Sequence, residues 1–258
     1  MILPSPDTVL IIPAAGAGTR LQSSTPKVLS PVNNRPMIDH LIDRYRGVVQ
    51  RFVLVVHPSF EHDVRRHIEE TSPSVHVQYA QQAKPTGMLD AILLASNAAR
   101  ELPEGRVWIT WCDQIGVHPD TIDTLRLLSR EHADAQVIFP IVRQTPPYIH
   151  FERDNVGRIT AVRQRREGDA MPAVGESDMG LFSLSPGAYF DLLPEFGRET
   201  IQASATRERN FLPFIPWLAQ QGHSVVTFPS TNELEAIGIN TPEDRRRLED
   251  YLRQLERS

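Results

Sequence analysis

The sequence predicts a three-layer α/β fold whose central sheet is mixed but mostly parallel, with a β-rich insert added to it. Three observations carry that reading. Short β-branched apolar runs alternate with longer helix-period segments through the first half of the chain, which is the rhythm of βαβ units. The first of these runs ends in a glycine-containing loop, as strand-to-helix turns that receive anions do. After about residue 136 the rhythm changes to closely spaced strands, with a turn signal at Asp154-Asn155-Val156-Gly157.

The elements follow in order. Residues 8–12 form a continuous β-branched run bounded by Pro13 and Gly16, as expected of a strand covered on both faces. Residues 37–49 carry apolar side chains at helical spacing, with Pro36 at the start. A strand at 52–56, a helix at 61–70 and a strand at 75–79 come next. A single helix is then predicted over 87–100, through Met88, Ala91, Ile92, Leu94 and Ala95. Residues 107–111 read as a buried strand running into Asp113, and 119–132 as a helix. Beyond these lie a strand at 137–142, a hairpin of 148–153 with 158–163, and a short apolar strand at 180–184. A helical segment at 211–220, a strand at 224–228 and a polar helix at 242–255 complete the chain.

Composition narrows the function. The 258 residues suffice for a full core, and 40% hydrophobic with 23% charged residues is ordinary for a globular protein. A net charge of −5 lacks the surplus of cations that nucleic-acid binding requires. The single cysteine, Cys112, allows no intramolecular disulfide and no thiolate cluster, and is expected to be a small buried hydrophobe. The nine histidines lack zinc-ligand spacing. The opening MILPSPDTVLII has no basic start, contains Asp7 and two prolines, and is too short to span a bilayer. No signal peptide or membrane anchor is therefore expected, and a cytoplasmic location is.

The loop after the first strand decides the chemistry. A dinucleotide fingerprint needs a third small residue where Leu21 stands, and an acidic residue where the second strand runs into His57-Pro58. A P-loop needs Gly-Lys followed by Ser or Thr, which is absent. What remains is a loop whose glycines, Gly16 and Gly18, let backbone N–H groups approach an anion, followed by Arg20 and by Pro26-Lys27. Taken alone, Gly16-Ala17-Gly18 is a plain turn with two solvated cations nearby. A planar guanidinium and a mobile ammonium flanking a phosphate-sized nest point instead to phosphoryl or nucleotidyl transfer.

Ala14-Ala15-Gly16-Ala17-Gly18-Thr19-Arg20 with Pro26-Lys27 resembles the opening motif of the sugar-1-phosphate nucleotidyltransferases. The short gap from Arg20 to Lys27 is most similar to the uridyltransferase (pyrophosphorylase) domains of bacterial N-acetylglucosamine-1-phosphate uridyltransferases. The segment from Gln81 to Gly87 resembles the family's base-reading stretch, which implies nucleotide contacts from Gln81, Gln82, Thr86 and Gly87. Trp111-Cys112-Asp113 stands where the family has Gly-Asp, and residues 235–240 resemble its Glu-Val-Glu-Gly-Val-Asn segment. The resemblance implies that Asp113 and Asn240 hold Mg²⁺. A hard cation that favours oxygen ligands and keeps several waters suits one carboxylate, one amide oxygen and substrate phosphates. Asn240-Thr241-Pro242 is also a good helix start, so either Asn240 or Thr241 is expected to cap it while the other serves the metal.

What the resemblance implies is a Rossmann-like nucleotidyltransferase fold in one domain over 1–258. Residues 1–135 would be the nucleotide-binding half, 136–235 the β-rich sugar-binding part, and 236–258 the metal-site strand end and terminal helix. The implied reaction joins an NTP, UTP first, to a sugar 1-phosphate. Arg20 would act on the leaving phosphates, Lys27 across the α-phosphate, Asp113 and Asn240 on Mg²⁺, and the backbone of Ala14 to Thr19 on the nucleotide. The sugar side would use Tyr148, Glu167, Asp178 and Gly180, and it departs from the family. Ile149 stands where a glycine is usual, and Asp178-Met179-Gly180 replaces Asn-Thr-Gly; an ionised carboxylate accepts hydrogen bonds but donates none. The clean acidic counterpart is missing, with Glu167 adjacent.

These departures favour an acceptor other than N-acetylglucosamine 1-phosphate. They leave open a cytidylyltransferase for a polyol or choline phosphate, and a catalytically silent nucleotide-binding subunit. The apolar stretch 210–214 is expected to be core, and the arginines at 163–166 and 245–247 solvated surface. No hexapeptide repeats follow, so an acetyltransferase activity is not expected of these residues. The sequence carries no signal of oligomeric state.

Overall fold

The computed structural model describes residues 8–16, 25–100, 105–230 and 232–255. The first half runs β1 (Val9–Pro13), β2 (Pro31–Val32), β3 (Arg35–Pro36), α1 (Met37–Tyr45), β4 (Arg51–Val56), α2 (Pro58–Thr71), β5 (Val77–Gln81), α3 (Met88–Leu94), α4 (Ser96–Ala99), β6 (Val107–Thr110) and α5 (Pro119–Glu131). The second half runs β7 (Val137–Gln144), β8 (Ile149–Arg153), β9 (Ile159–Gln164), β10 (Gly175–Asp178), β11 (Leu181–Leu184), α6 (Leu193–Glu199), α7 (Phe214–Gln220), β12 (Val225–Pro229) and α8 (Pro242–Leu255).

In the eight-stranded sheet, β11-β6-β1-β4-β5 follow one another, β10 and β11 pair with successive stretches of one edge of β7, and β12 pairs with its other edge. Strand β1 lies parallel between β4 and β6, and β12 lies parallel to β7, while β10 and β11 run antiparallel to their neighbours. All five residues of β1 are buried. Because side chains alternate across a strand, Leu10 and Ile12 face one layer with Met37, Leu41, Tyr45, Leu125 and Leu248, and Val9 and Ile11 face the other with Leu89, Ile92, Phe182 and Phe214. That is the three-layer fold expected from the apolar runs.

The structure corrects several boundaries. The helix expected over 87–100 is divided at Ala95, whose N–H bonds Ile92 O at 3.3 Å in the tighter i to i−3 pattern and whose ψ is −9°. The segment expected to be helical over 211–220 starts at Phe214, with Pro213 just before it and Pro216 in its first turn, where a missing N–H is tolerated. Three features escaped the sequence reading: β10, helix α6 with the π-turn of Ala188–Leu192 before it, and the small β2–β3 hairpin. Asn33 and Asn34 turn that hairpin at φ 45° and 61°, a two-residue signal that alternation arguments pass over.

Strands β10 and β11 are consecutive stretches interrupted at Met179-Gly180. Gly180 sits at φ +63°, and a Cβ there would lie 2.4 Å from the Trp111 ring and 2.5 Å from Gln114 Cγ. Trp111 N–H donates to Gly180 O at 3.0 Å. The interruption therefore lies directly against the carboxyl end of β6, where open α/β sheets bind their ligands.

Candidate active site

Three segments meet beyond the end of β6. Lys27 opens a short 3₁₀ turn, Lys27–Leu29, after Pro26, and Val28 anchors that turn in the core. Asp113 follows β6 by three residues. Asn240 precedes α8. Lys27 Nζ donates to Asp113 Oδ2 at 2.5 Å and lies 3.4 Å from Asn240 Oδ1, although these partners are 86 and 213 positions away in sequence. The ion pair is largely removed from bulk water, with side chains 15% and 13% exposed. A carboxylate oxygen and an amide oxygen are thus aimed at one cation.

The backbone around this centre is built to let the segments approach. A Cβ on Gly238 would fall 3.2 Å from Asp113 Oδ2, tighter than ordinary contact, so glycine lets the 236–240 chain pass against the carboxylate. Asp244 Oδ2 accepts from Thr241 N at 2.8 Å and Asn240 N at 3.1 Å, and Thr241 Oγ1 accepts from Asp244 N at 3.1 Å. That reciprocal arrangement is a capping box. The cap is therefore supplied by Thr241, and the Asn240 side chain is left for the site.

Two buried polar residues hold these parts in register, and the sequence reading assigned neither a role. Glu235, 4% exposed, accepts from His118 N at 2.8 Å, Thr121 Oγ1 at 2.7 Å and Ser230 Oγ at 2.9 Å. It fastens the segment leading to Asn240 onto the N-terminus of α5, where a carboxylate is favoured. Gln114, next to Asp113, donates through Nε2 to Met179 O at 2.9 Å and Ala236 O at 3.3 Å. One amide thus ties the β10–β11 interruption to the Asn240 segment. The Glu at the head of the 235–240 motif was the available signal for the first; a lone Gln gives none for the second.

The remaining expected residues divide. Ala14 is buried, its N–H bound to Val55 O at 2.7 Å; Ala15 is half-buried and Gly16 exposed at the mouth of β1. Ala17, Gly18, Thr19 and Arg20 lie outside the described residues. Gln82 is buried, and its Nε2 donates to Gly87 O at 3.0 Å and lies 3.3 Å from Thr86 Oγ1, which shapes the loop. The Gln81 amide instead reaches Glu61 Oε2 at 2.7 Å. Gly87 has φ +121°, and a Cβ there would come within 2.4 Å of Arg209 N and O. Arg209 N donates to Thr86 O at 2.8 Å, and Leu89 N donates to Arg209 O at 3.0 Å.

On the acceptor side, Tyr148 is exposed and Asp178 buried. The carboxylate of Asp178 accepts from Gly180 N at 3.3 Å, and burial pushes its pKa up to about 6. The Glu167 carboxylate is taken up by Thr206 Oγ1 at 2.8 Å, Asn210 Nδ2 at 3.0 Å and Thr206 N at 3.2 Å. Burial acts to raise its pKa, but these hydrogen bonds, with the Arg166 charge, outweigh it and hold the carboxyl below its ordinary value. Residues 206–210 therefore form a strap, fastened to Glu167 through Thr206 and Asn210 and to the Thr86-Gly87 loop through Arg209. Cys112 is buried, and burial followed by the charge of Asp113 pushes its thiol up to about 12.

Among the described residues no group of three or more His, Cys, Asp or Glu side chains gathers as a metal site, and no helix is long and apolar enough to cross a membrane. The Asp113–Asn240 oxygens nevertheless fit a hard divalent ion, since both already face a cation and Mg²⁺ takes few protein ligands.

The MobA-like NTP transferase domain family matches residues 10–177. The chain is 25% identical over 250 residues to the bifunctional protein GlmU of Bacillus licheniformis, covering 95% of this chain and 52% of that protein. It is 28% identical over 258 residues to the bifunctional protein GlmU of Kineococcus radiotolerans, covering 98% and 50%. The chain thus spans about half the length of these relatives. Among solved structures, the inositol-1-phosphate CTP transferase of T. maritima superposes with a TM-score of 0.72 over 98% of both chains, at 15% identity.

Proposed function

The chain belongs to the MobA-like NTP transferase domain family and is a nucleotidyltransferase of the sugar-phosphate kind, and from that premise we propose that it joins an NTP, with UTP first, to a sugar 1-phosphate, releasing pyrophosphate. The observation that carries this reading is the convergence of Lys27, Asp113 and Asn240 on one point beyond β6. A structural ion pair alone would not require the asparagine or the glycine at 238.

In this reading a sugar-phosphate oxygen attacks the α-phosphorus in line, and the bond to the β-phosphate breaks as pyrophosphate departs. No side-chain nucleophile takes part. Catalysis is positioning and charge stabilisation. Asp113 and Asn240 would hold Mg²⁺, which when bound would offset the charge of the phosphates. Lys27 would supply its ammonium to the α-phosphate, and Arg20 its guanidinium to the leaving phosphates. The backbone from Ala14 to Thr19 would receive the nucleotide, and the loop of Gln81, Gln82, Thr86 and Gly87 would bound the base. The division into a nucleotide half (1–135), an acceptor half (136–235) and a closing segment (236–258) follows from that assignment. The acceptor would lie along Tyr148, Asp178 and Gly180, with Glu167 acting through the strap rather than on the sugar.

A second reading, cytidylyl transfer to a polyol phosphate, draws on Asp178, a carboxylate suited to accepting from several hydroxyls, and on the equal-length T. maritima inositol-1-phosphate CTP transferase. Both readings place the protein in the cytoplasm. Pyrophosphate release over a matrix of NTPs and phosphorylated acceptors with Mg²⁺ separates them. Preference for UTP with a sugar 1-phosphate is the expected result; preference for CTP with a polyol phosphate selects the second reading. Release from no pair overturns both.

A further inference from the structure

We propose that Lys27 is the resident counter-ion of the Asp113–Asn240 oxygens and must be displaced before a divalent ion can bind there. The inference rests on the reading of those two oxygens as the cation donors. The Lys27 ammonium sits 2.5 Å from Asp113 Oδ2 and 3.4 Å from Asn240 Oδ1, so it occupies the position toward which both oxygens point. The pair is mostly screened from water.

A divalent ion cannot share this position with an ammonium in hydrogen-bond contact with the same oxygen, since the two cations would repel at close range in a site of reduced dielectric. Lys27 gains a competing partner when an anion of higher charge arrives. Its flexible four-carbon stem and point charge suit a move from carboxylate to phosphate. The triphosphate then releases the donors as it engages the lysine, and metal and nucleotide enter together. Without nucleotide, the apparent affinity for the metal is reduced by the fraction of molecules in which Lys27 has left Asp113.

The test uses Mn²⁺ alone, with no nucleotide, and reads free Mn²⁺ by electron paramagnetic resonance. If Lys27 leaves in about one molecule in ten, Lys27→Met binds Mn²⁺ about tenfold tighter than the wild type. The polar variant Lys27→Gln repeats the measurement. The gain should persist in 0.5 M KCl, where repulsion between separated charges is screened within about 4–5 Å. Equal or weaker binding by both variants overturns the proposal, as does a gain that disappears in salt, which would mark general repulsion rather than displacement. Adding Asp113→Asn to Lys27→Met should abolish the binding. Survival of tight binding in that double variant would instead overturn the reading of Asp113 as a donor.

Discussion

Lys27 carries the sharpest expectation at the scale of single residues. Lys27→Ala should lower kcat by two or more orders of magnitude while the protein stays folded, with a melting temperature lowered by a few degrees because Asp113 loses its ion-pair partner. Steady-state kinetics beside a thermal melt reads both. Asp178 gives a pH signature. Its folded pKa, up at about 6 through burial, exceeds its ordinary 3.8, so the protonated form is favoured by folding. That contribution is present below about pH 4 and lost as pH rises through 6. At pH 8 the buried carboxylate costs on the order of 3 kcal/mol by this linkage, and Asp178→Asn should raise the melting temperature by several degrees at pH 8 and by much less at pH 4. Cys112 should resist iodoacetamide until the protein unfolds, since its thiol is buried and pushed up to about 12. A lone cysteine between Trp111 and Asp113 could be read as a small buried hydrophobe from sequence. The burial of Asp178 could not, because it depends on β10, a strand with Gly175, Glu176 and Ser177 that carries no apolar alternation.

At the scale of elements, the start of α8 separates a capping residue from one whose side chain faces Lys27 at adjacent positions. Thr241→Ala removes one half of the capping box and should cost about 1 kcal/mol of stability, read by denaturant unfolding. Asn240→Ala should leave stability within about 0.5 kcal/mol, as surface substitutions do, and reduce activity. The sequence offered both residues as caps; the hydrogen bond from Asp244 N to Thr241 Oγ1 tells them apart. The α3 N-terminus shows the opposite case. Gly87→Ala places a methyl group 2.4 Å from the Arg209 backbone in a backbone region L side chains rarely adopt, so it should destabilise the protein and loosen the Thr86 loop. The glycine was visible in the motif, but its reason was not, since Arg209 arrives from 122 positions later. Helix α3 itself was legible from its apolar spacing, whereas its break at Ala95 lies in a backbone angle that an alanine-rich stretch does not announce.

At the scale of the molecule, the apolar runs predicted the parallel core, since β1, β4, β5 and β6 are each short and buried or half-buried. The second half was harder to read because its strands, β12 apart, pair antiparallel and β7 accepts three partners, so periodicity within a strand says little about its neighbour. Of the site, the motif residues were legible and their supports were not. Glu235 and Gln114 do their work through contacts that reach residues up to 122 positions away. These supports bring Lys27, Asp113 and Asn240 together at one centre beyond β6. The most direct test of that centre is the single-turnover rate of pyrophosphate formation, with the preferred NTP and acceptor, in wild type and Asp113→Asn. The account predicts a loss of at least about a hundredfold in a protein that still folds and melts cooperatively; a folded Asp113→Asn protein that turns over at the wild-type rate would contradict it.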